Sequence, residues 1–116
     1  MTMADFVFLF RGGEPLSESP ARMQQQMERW IAWMKELGDK GHLQNAGSAL
    51  ERTGKIVSGK KKRAITDGPF AEKDLVGGVM FIAARDLGHA AEIATGCPIF
   101  ESDGFVEVRP VMKTSP

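Results

Sequence analysis

Five consecutive apolar residues, Phe6-Val7-Phe8-Leu9-Phe10, closed by Arg11-Gly12-Gly13, constrain this chain more than any other feature. Aromatic and branched side chains favour a strand, and the double glycine ends it. Side chains alternate along a strand, so Phe6, Phe8 and Phe10 share one face while Val7 and Leu9 share the other. Both faces are apolar, and both have to be covered. The run Gly77-Gly78-Val79-Met80-Phe81-Ile82-Ala83-Ala84 has the same property. At 116 residues and 12.7 kDa there is room for one domain, expected over residues 1–112 with a frayed tail at 113–116.

Helices supply one cover. Ser19 as N-cap and Pro20 at the first helical position start a helix. Met23, Met27, Trp30, Met34 and Leu37 then recur at spacings of four and three, with Ile31 widening the stripe. Gly38 or Gly41 supplies the left-handed residue that ends it. Asp86 caps a second helix through Leu87, Ala90, Ala91 and Ala94, stopped by Gly96 with Pro98 beyond. Between the helices, Leu43 to Leu50, Lys55 to Ser58 and Arg63 to Thr66 are strand-like and read as a hairpin. Phe105-Val106-Glu107-Val108-Arg109, closed by Pro110, is the last strand.

The order β-α-β-β-α-β is the α+β, ferredoxin-like plan, an antiparallel sheet with both helices on one face because the two crossovers share a hand. The other face stays bare and apolar, a patch larger than monomers usually expose. A second copy packing sheet to sheet resolves this, so a homodimer is expected.

Charge and cysteine content narrow the function classes. Fifteen Lys+Arg against fifteen Asp+Glu give a formal net charge of +0, which removes the bulk attraction to nucleic acid or anionic membrane. The basic run Lys60-Lys61-Lys62-Arg63 has no interleaved aromatics and reads as a solvated turn. No stretch is long and apolar enough for a membrane span or a signal peptide. Cys97 stands alone, so neither a disulfide nor a zinc site follows, and the expected location is cytoplasmic. It reads as a small space-filler. His42 and His89 lack the spacing of metal ligands, and Gly77-Gly78 lacks the phosphate-binding glycine patterns, so no metal or cofactor is expected.

Asp67-Gly68-Pro69-Phe70-Ala71-Glu72-Lys73, with Gly77-Gly78 behind it and Glu107-Val108-Arg109-Pro110-Val111 near the end, resembles the DGPF branch of the YCII-related family. The resemblance covers the whole chain. It implies a ferredoxin-like fold paired into a dimeric α+β barrel, with lyase-like or dehalogenating chemistry in some relatives and an association with extracytoplasmic-function sigma factors in others. The histidine that serves YCII enzymes as a catalytic residue has no obvious counterpart here.

The motif also has a physical reading. Asp67 accepts bonds from backbone N–H groups two residues on, Gly68 permits positive φ and Pro69 fixes its own, which makes a strand end in a tight turn. Such a turn, with Phe70 packed on the sheet, is a structural latch. Functionally, Asp67 and Glu72 bring two carboxylates to one rim, and a carboxylate half-buried beside Phe70 suits proton transfer. Arg11 and Arg109 end the first and last strands and are placed to grip an anion bidentately, with surface pairing to Glu107 or Asp5 as the alternative. Two functions remain open. One is a small acid/base lyase or isomerase acting on a small anionic molecule in a cleft between sheet and helices, with Asp67 and Glu72 catalytic and Arg11, Phe70 and Arg109 binding substrate. The other is a non-catalytic binding or regulatory module whose partner is a sigma factor.

Overall fold

The computed structural model describes residues 2–13, 18–61, 64–67 and 75–113. Along the chain come β1 (Ala4–Gly12), α1 (Pro20–Asp39), β2 (Leu43–Ala49), β3 (Lys55–Ser58), β4 (Ala64–Asp67), β5 (Val76–Ala84), α2 (Leu87–Ala94), a 3-10 turn (Pro98–Ser102) and β6 (Gly104–Pro110). Four strands form one antiparallel sheet in the order β2-β5-β1-β6, and β3 pairs with β4 in a separate two-stranded sheet. Without the β3–β4 hairpin this is the ferredoxin-like βαββαβ arrangement expected from the element order. The thinnest dimension, 19 Å, is that of one sheet and one helix layer.

The alternation read in β1 governs the packing. Phe6, Phe8 and Phe10 are buried against the helices, while Val7, Leu9 and Arg11 lie on the opposite face and stay partly exposed. Phe8, Met80 and Ile82 are fully buried. Phe8 stacks on Trp33 with ring centroids 6.3 Å apart, and Phe10 meets Trp30 edge-on at 5.1 Å. Under α2 the buried residues are Ala90 and Ala94, whose small side chains let that helix sit close to the sheet.

Both helix boundaries have identifiable causes. Ser19 is the N-cap of α1 with Pro20 behind it, and its carbonyl oxygen accepts from Met23 N at 2.9 Å, so the backbone starts the ladder and not the hydroxyl. At the other end Gly41, at φ +78°, is the left-handed residue, with Gly41 N donating to Gly38 O and His42 N to Leu37 O. Asp86 caps α2 as expected, its Oδ1 accepting from His89 N at 2.8 Å. α2 ends at the Thr95 cap with Gly96 just beyond it, as expected, and Gly96 also makes room for the core: a Cβ there would come within 3.2 Å of the Trp33 indole nitrogen.

Two expectations are corrected. The buried stripe of α1 is Trp33 and Leu37, flanked by Trp30 and Met34, whereas Met23, Met27 and Ile31 are exposed. Twenty residues make a helix about 30 Å long, and the aromatic core meets only its C-terminal half. The segment after His42 is not one hairpin. Leu43–Ala49 is an edge strand on β5, and only the two later stretches pair with each other. The break is built into β2 by a bulge at Gly47, at φ +63°, where a Cβ would run into the Val79 carbonyl. Asn45 Oδ1 accepts from Gly47 N at 2.7 Å and holds the bulge.

Candidate functional site

Strands β1 and β6 run side by side with Arg11 opposite Phe105, Leu9 opposite Glu107 and Val7 opposite Arg109. Directly opposed residues share a face, so all six side chains belong to the sheet face turned away from the helices. Glu107 stands between the two arginines: its Oε1 is 2.8 Å from Arg11 Nε and its Oε2 is 3.9 Å from Arg109 Nε. Two guanidiniums against one carboxylate leave one net positive charge. Arg11 is the more enclosed, its side chain 25% exposed against 66% for Arg109. Around them the face is apolar, with Val7, Leu9 and Val79 half-buried and Phe81 and Phe105 39% and 44% exposed.

Arg11 and Arg109 are thus brought together, through the pairing with Glu107 that was the alternative reading. Where a cleft between sheet and helices was expected, the described residues are packed: the even-numbered residues of β1 meet the indole of Trp33 there. The parity of Arg11 with Val7 and Leu9 already carried this information. Asp67 ends β4 opposite Lys55, on the two-stranded sheet. Phe70, Glu72 and the turn that follows Asp67 lie outside the described residues, as do Lys62, Arg63 and the tail at 114–116.

A juxtaposition invisible in the sequence joins His42, at the foot of β2, to His89 in the first turn of α2. The rings meet at right angles with centroids 5.1 Å apart. His42 Nδ1 faces the Ala83 carbonyl at 3.0 Å and so carries a proton, while His89 Nδ1 accepts from the Arg85 N–H at 3.1 Å and so does not. The two Nδ1 atoms therefore play opposite hydrogen-bonding roles. Among the described residues no group of three or more His, Cys, Asp or Glu is placed to hold a metal ion.

Between α1 and the 3-10 turn lies an open groove of about 340 Å³ lined by Arg29, Trp33, Glu36, Cys97 and Glu101. Its charges are already matched, Arg29 with Glu101 and Lys40 with Glu36, both at 2.8 Å. Burial pushes the Cys97 thiol up to about 12, against a small opposing effect of a backbone hydrogen bond at Ile99, so the sulfur stays protonated and is no nucleophile at neutral pH. The open sheet face is the stronger candidate.

No described helix is long and apolar enough to cross a membrane. No curated protein matches the chain. The family model of the YCII-related domain matches residues 6–115, nearly the whole chain and every element of the four-stranded sheet. With that match over a ferredoxin-like sheet, the chain belongs to the YCII-related domain family.

Proposed function

We propose that this chain is the subunit of a homodimer whose two open sheet faces meet, and that the enclosed face binds a small anionic organic molecule for acid/base chemistry of lyase or isomerase type. The observation that carries this reading is the Arg11–Glu107–Arg109 cluster on an otherwise apolar surface. An anion placed there displaces one arm of Glu107 and gains a planar, bidentate partner in surroundings that a second copy makes dry. In this reading Arg11 and Arg109 grip the anion, Asp67 and then Glu72 transfer the proton, and Phe70 forms an apolar wall, as the DGPF-like motif suggests.

Sedimentation at micromolar concentration should give twice 12.7 kDa, and a panel of small mono- and dicarboxylates should raise the thermal midpoint of the wild type but not of Arg11→Met or Arg109→Met. A monodisperse monomer overturns the dimer. Once a substrate is identified, Asp67→Asn should lower turnover by about 10² to 10⁴, and a change within a few-fold removes Asp67 from the chemistry.

One observation favours the competing reading, a regulatory module bound to a sigma factor. Met23, Met27 and Ile31 recur every four residues along α1 and are exposed, the pattern of a protein-docking helix. Co-purification of a sigma factor with the wild type and not with Met27→Glu would put that reading ahead.

A further inference from the structure

We infer that the groove between α1 and the 3-10 turn is a second binding site, which takes a small uncharged carbonyl compound whose oxygen accepts a hydrogen bond from the Trp33 indole N–H. The site belongs to the helix layer and goes beyond the function proposed above, since it needs neither the open sheet face nor a second copy. Trp33 is 6% exposed. Its ring stacks on Phe8 and meets Phe10 and Trp30 edge-on, with centroids 6.3, 6.2 and 5.9 Å away. These ring contacts fix the direction of the indole, yet among the described residues none supplies an acceptor for its N–H. A buried indole N–H usually has a partner.

The donor is directed toward the groove. Trp33 and the exposed Gly96 both line it, and the glycine lies beside the nitrogen: a Cβ at Gly96 would stand 3.2 Å from Nε1. The absence of a side chain there keeps the N–H within reach of a ligand. At about 340 Å³ the groove falls in the size range of small-molecule sites.

The surroundings select against charge. The Cys97 thiol, Pro98 and Ala32 give an apolar wall, while Arg29 pairs with Glu101 and Lys40 with Glu36 at the rim, each at 2.8 Å. An entering carboxylate would have to part Arg29 from Glu101 and come to rest near Glu36. An ammonium would find both carboxylates already paired. A neutral carbonyl oxygen meets the one donor left without a protein acceptor and disturbs neither ion pair, and a donor already fixed in place loses little freedom on binding.

The test follows the indole N–H signals of the ¹⁵N-labelled protein by NMR. The chain has two tryptophans, and Trp30→Phe assigns the signal of Trp33. Three probes of similar shape are titrated: benzamide, benzoate and toluene. Benzamide should move the Trp33 indole signal saturably. Toluene, which lacks the acceptor, should bind about five- to tenfold more weakly, and benzoate should also bind more weakly than benzamide. Gly96→Ala should abolish the benzamide shift while leaving the far-UV circular dichroism spectrum unchanged. If that variant does not fold, the three probes on the wild type still decide. An unmoved Trp33 signal, or toluene binding as tightly as benzamide, overturns the hydrogen-bonded site. Benzoate binding as tightly as benzamide overturns the uncharged class. None of these outcomes bears on the dimer or on the arginine cluster, which stand or fall by their own tests.

Discussion

The two faces of β1 come from one strand and are both largely apolar, yet they have had different fates. Phe6, Phe8 and Phe10 meet Trp30, Trp33 and Leu37 from α1 and the small residues of α2, and they are buried. Val7 and Leu9 look out on a face that no described element covers, beside exposed Phe81 and Phe105 and the Arg11–Glu107–Arg109 cluster. The difference lies in geometry and not in hydrophobicity. Right-handed crossovers put both helices on one side of the sheet, so a single copy can close only one face. The face left open is the one free to acquire a partner or a ligand, and it is also where the charged residues of β1 and β6 collect.

Replacing one residue from each face tests this contrast most strongly. Phe8→Ala should cost about 3 to 5 kcal/mol in urea melts, as expected of a fully buried aromatic, whereas Leu9→Ala, measured below any dimer dissociation constant, should cost less than about 1.5 kcal/mol. Equal losses would mean that the open face is packed within one chain. Cys97 gives a smaller effect on the packed side. Its thiol is raised from 9.0 to about 12 by burial, so at pH 8 alkylation should be slowed by about a thousandfold relative to the unfolded chain, and urea should restore it. The linkage has a definite sign. Because the folded value is the higher one, this contribution to stability is complete below pH 9 and is lost as pH rises from about 9 to 12. Reaction at native conditions as fast as in urea would show that the packed side opens readily. The smallest effect belongs to Arg109→Ala, which should change stability by no more than about 0.5 kcal/mol, since its contact with Glu107 is long and solvated. A loss several times larger would make that arginine structural and weaken the case for an anion grip.

Much of the fold was legible because it depends on local pattern. The strands at Phe6, Val79 and Phe105, the Asp86 cap and the glycine stop after α1 all follow from side-chain period and backbone preference. What escaped the pattern depended on distance. Periodicity marked Met23, Met27 and Ile31 as apolar, but it carries no measure of how far the facing sheet extends, so Trp33 rather than the methionines sits in the core. The stretch from Leu43 was legible as a strand, but its partner is β5, more than thirty residues away, and no local pattern marks so distant a pairing. At the candidate site the pairing of Arg11 with Glu107 was visible as strand parity, while the meeting of His42 with His89 joins residues 47 positions apart and left no local signal.

The amino-acid sequence alone determined that this chain makes a two-layer α+β domain with a sheet apolar on both faces, because alternation along a strand and 3.6-residue periodicity along a helix are properties of neighbouring residues. It also carried the family resemblance in the Asp67–Glu72 and Glu107–Val111 segments. Tertiary structure decided which face was filled, that the arginines flank Glu107 on the other, and that β3 and β4 leave the sheet as a separate hairpin. Those outcomes depend on the hand of the crossovers, the length of α1 relative to the core and the register set by one bulge, and each of these is fixed only when distant segments meet in space.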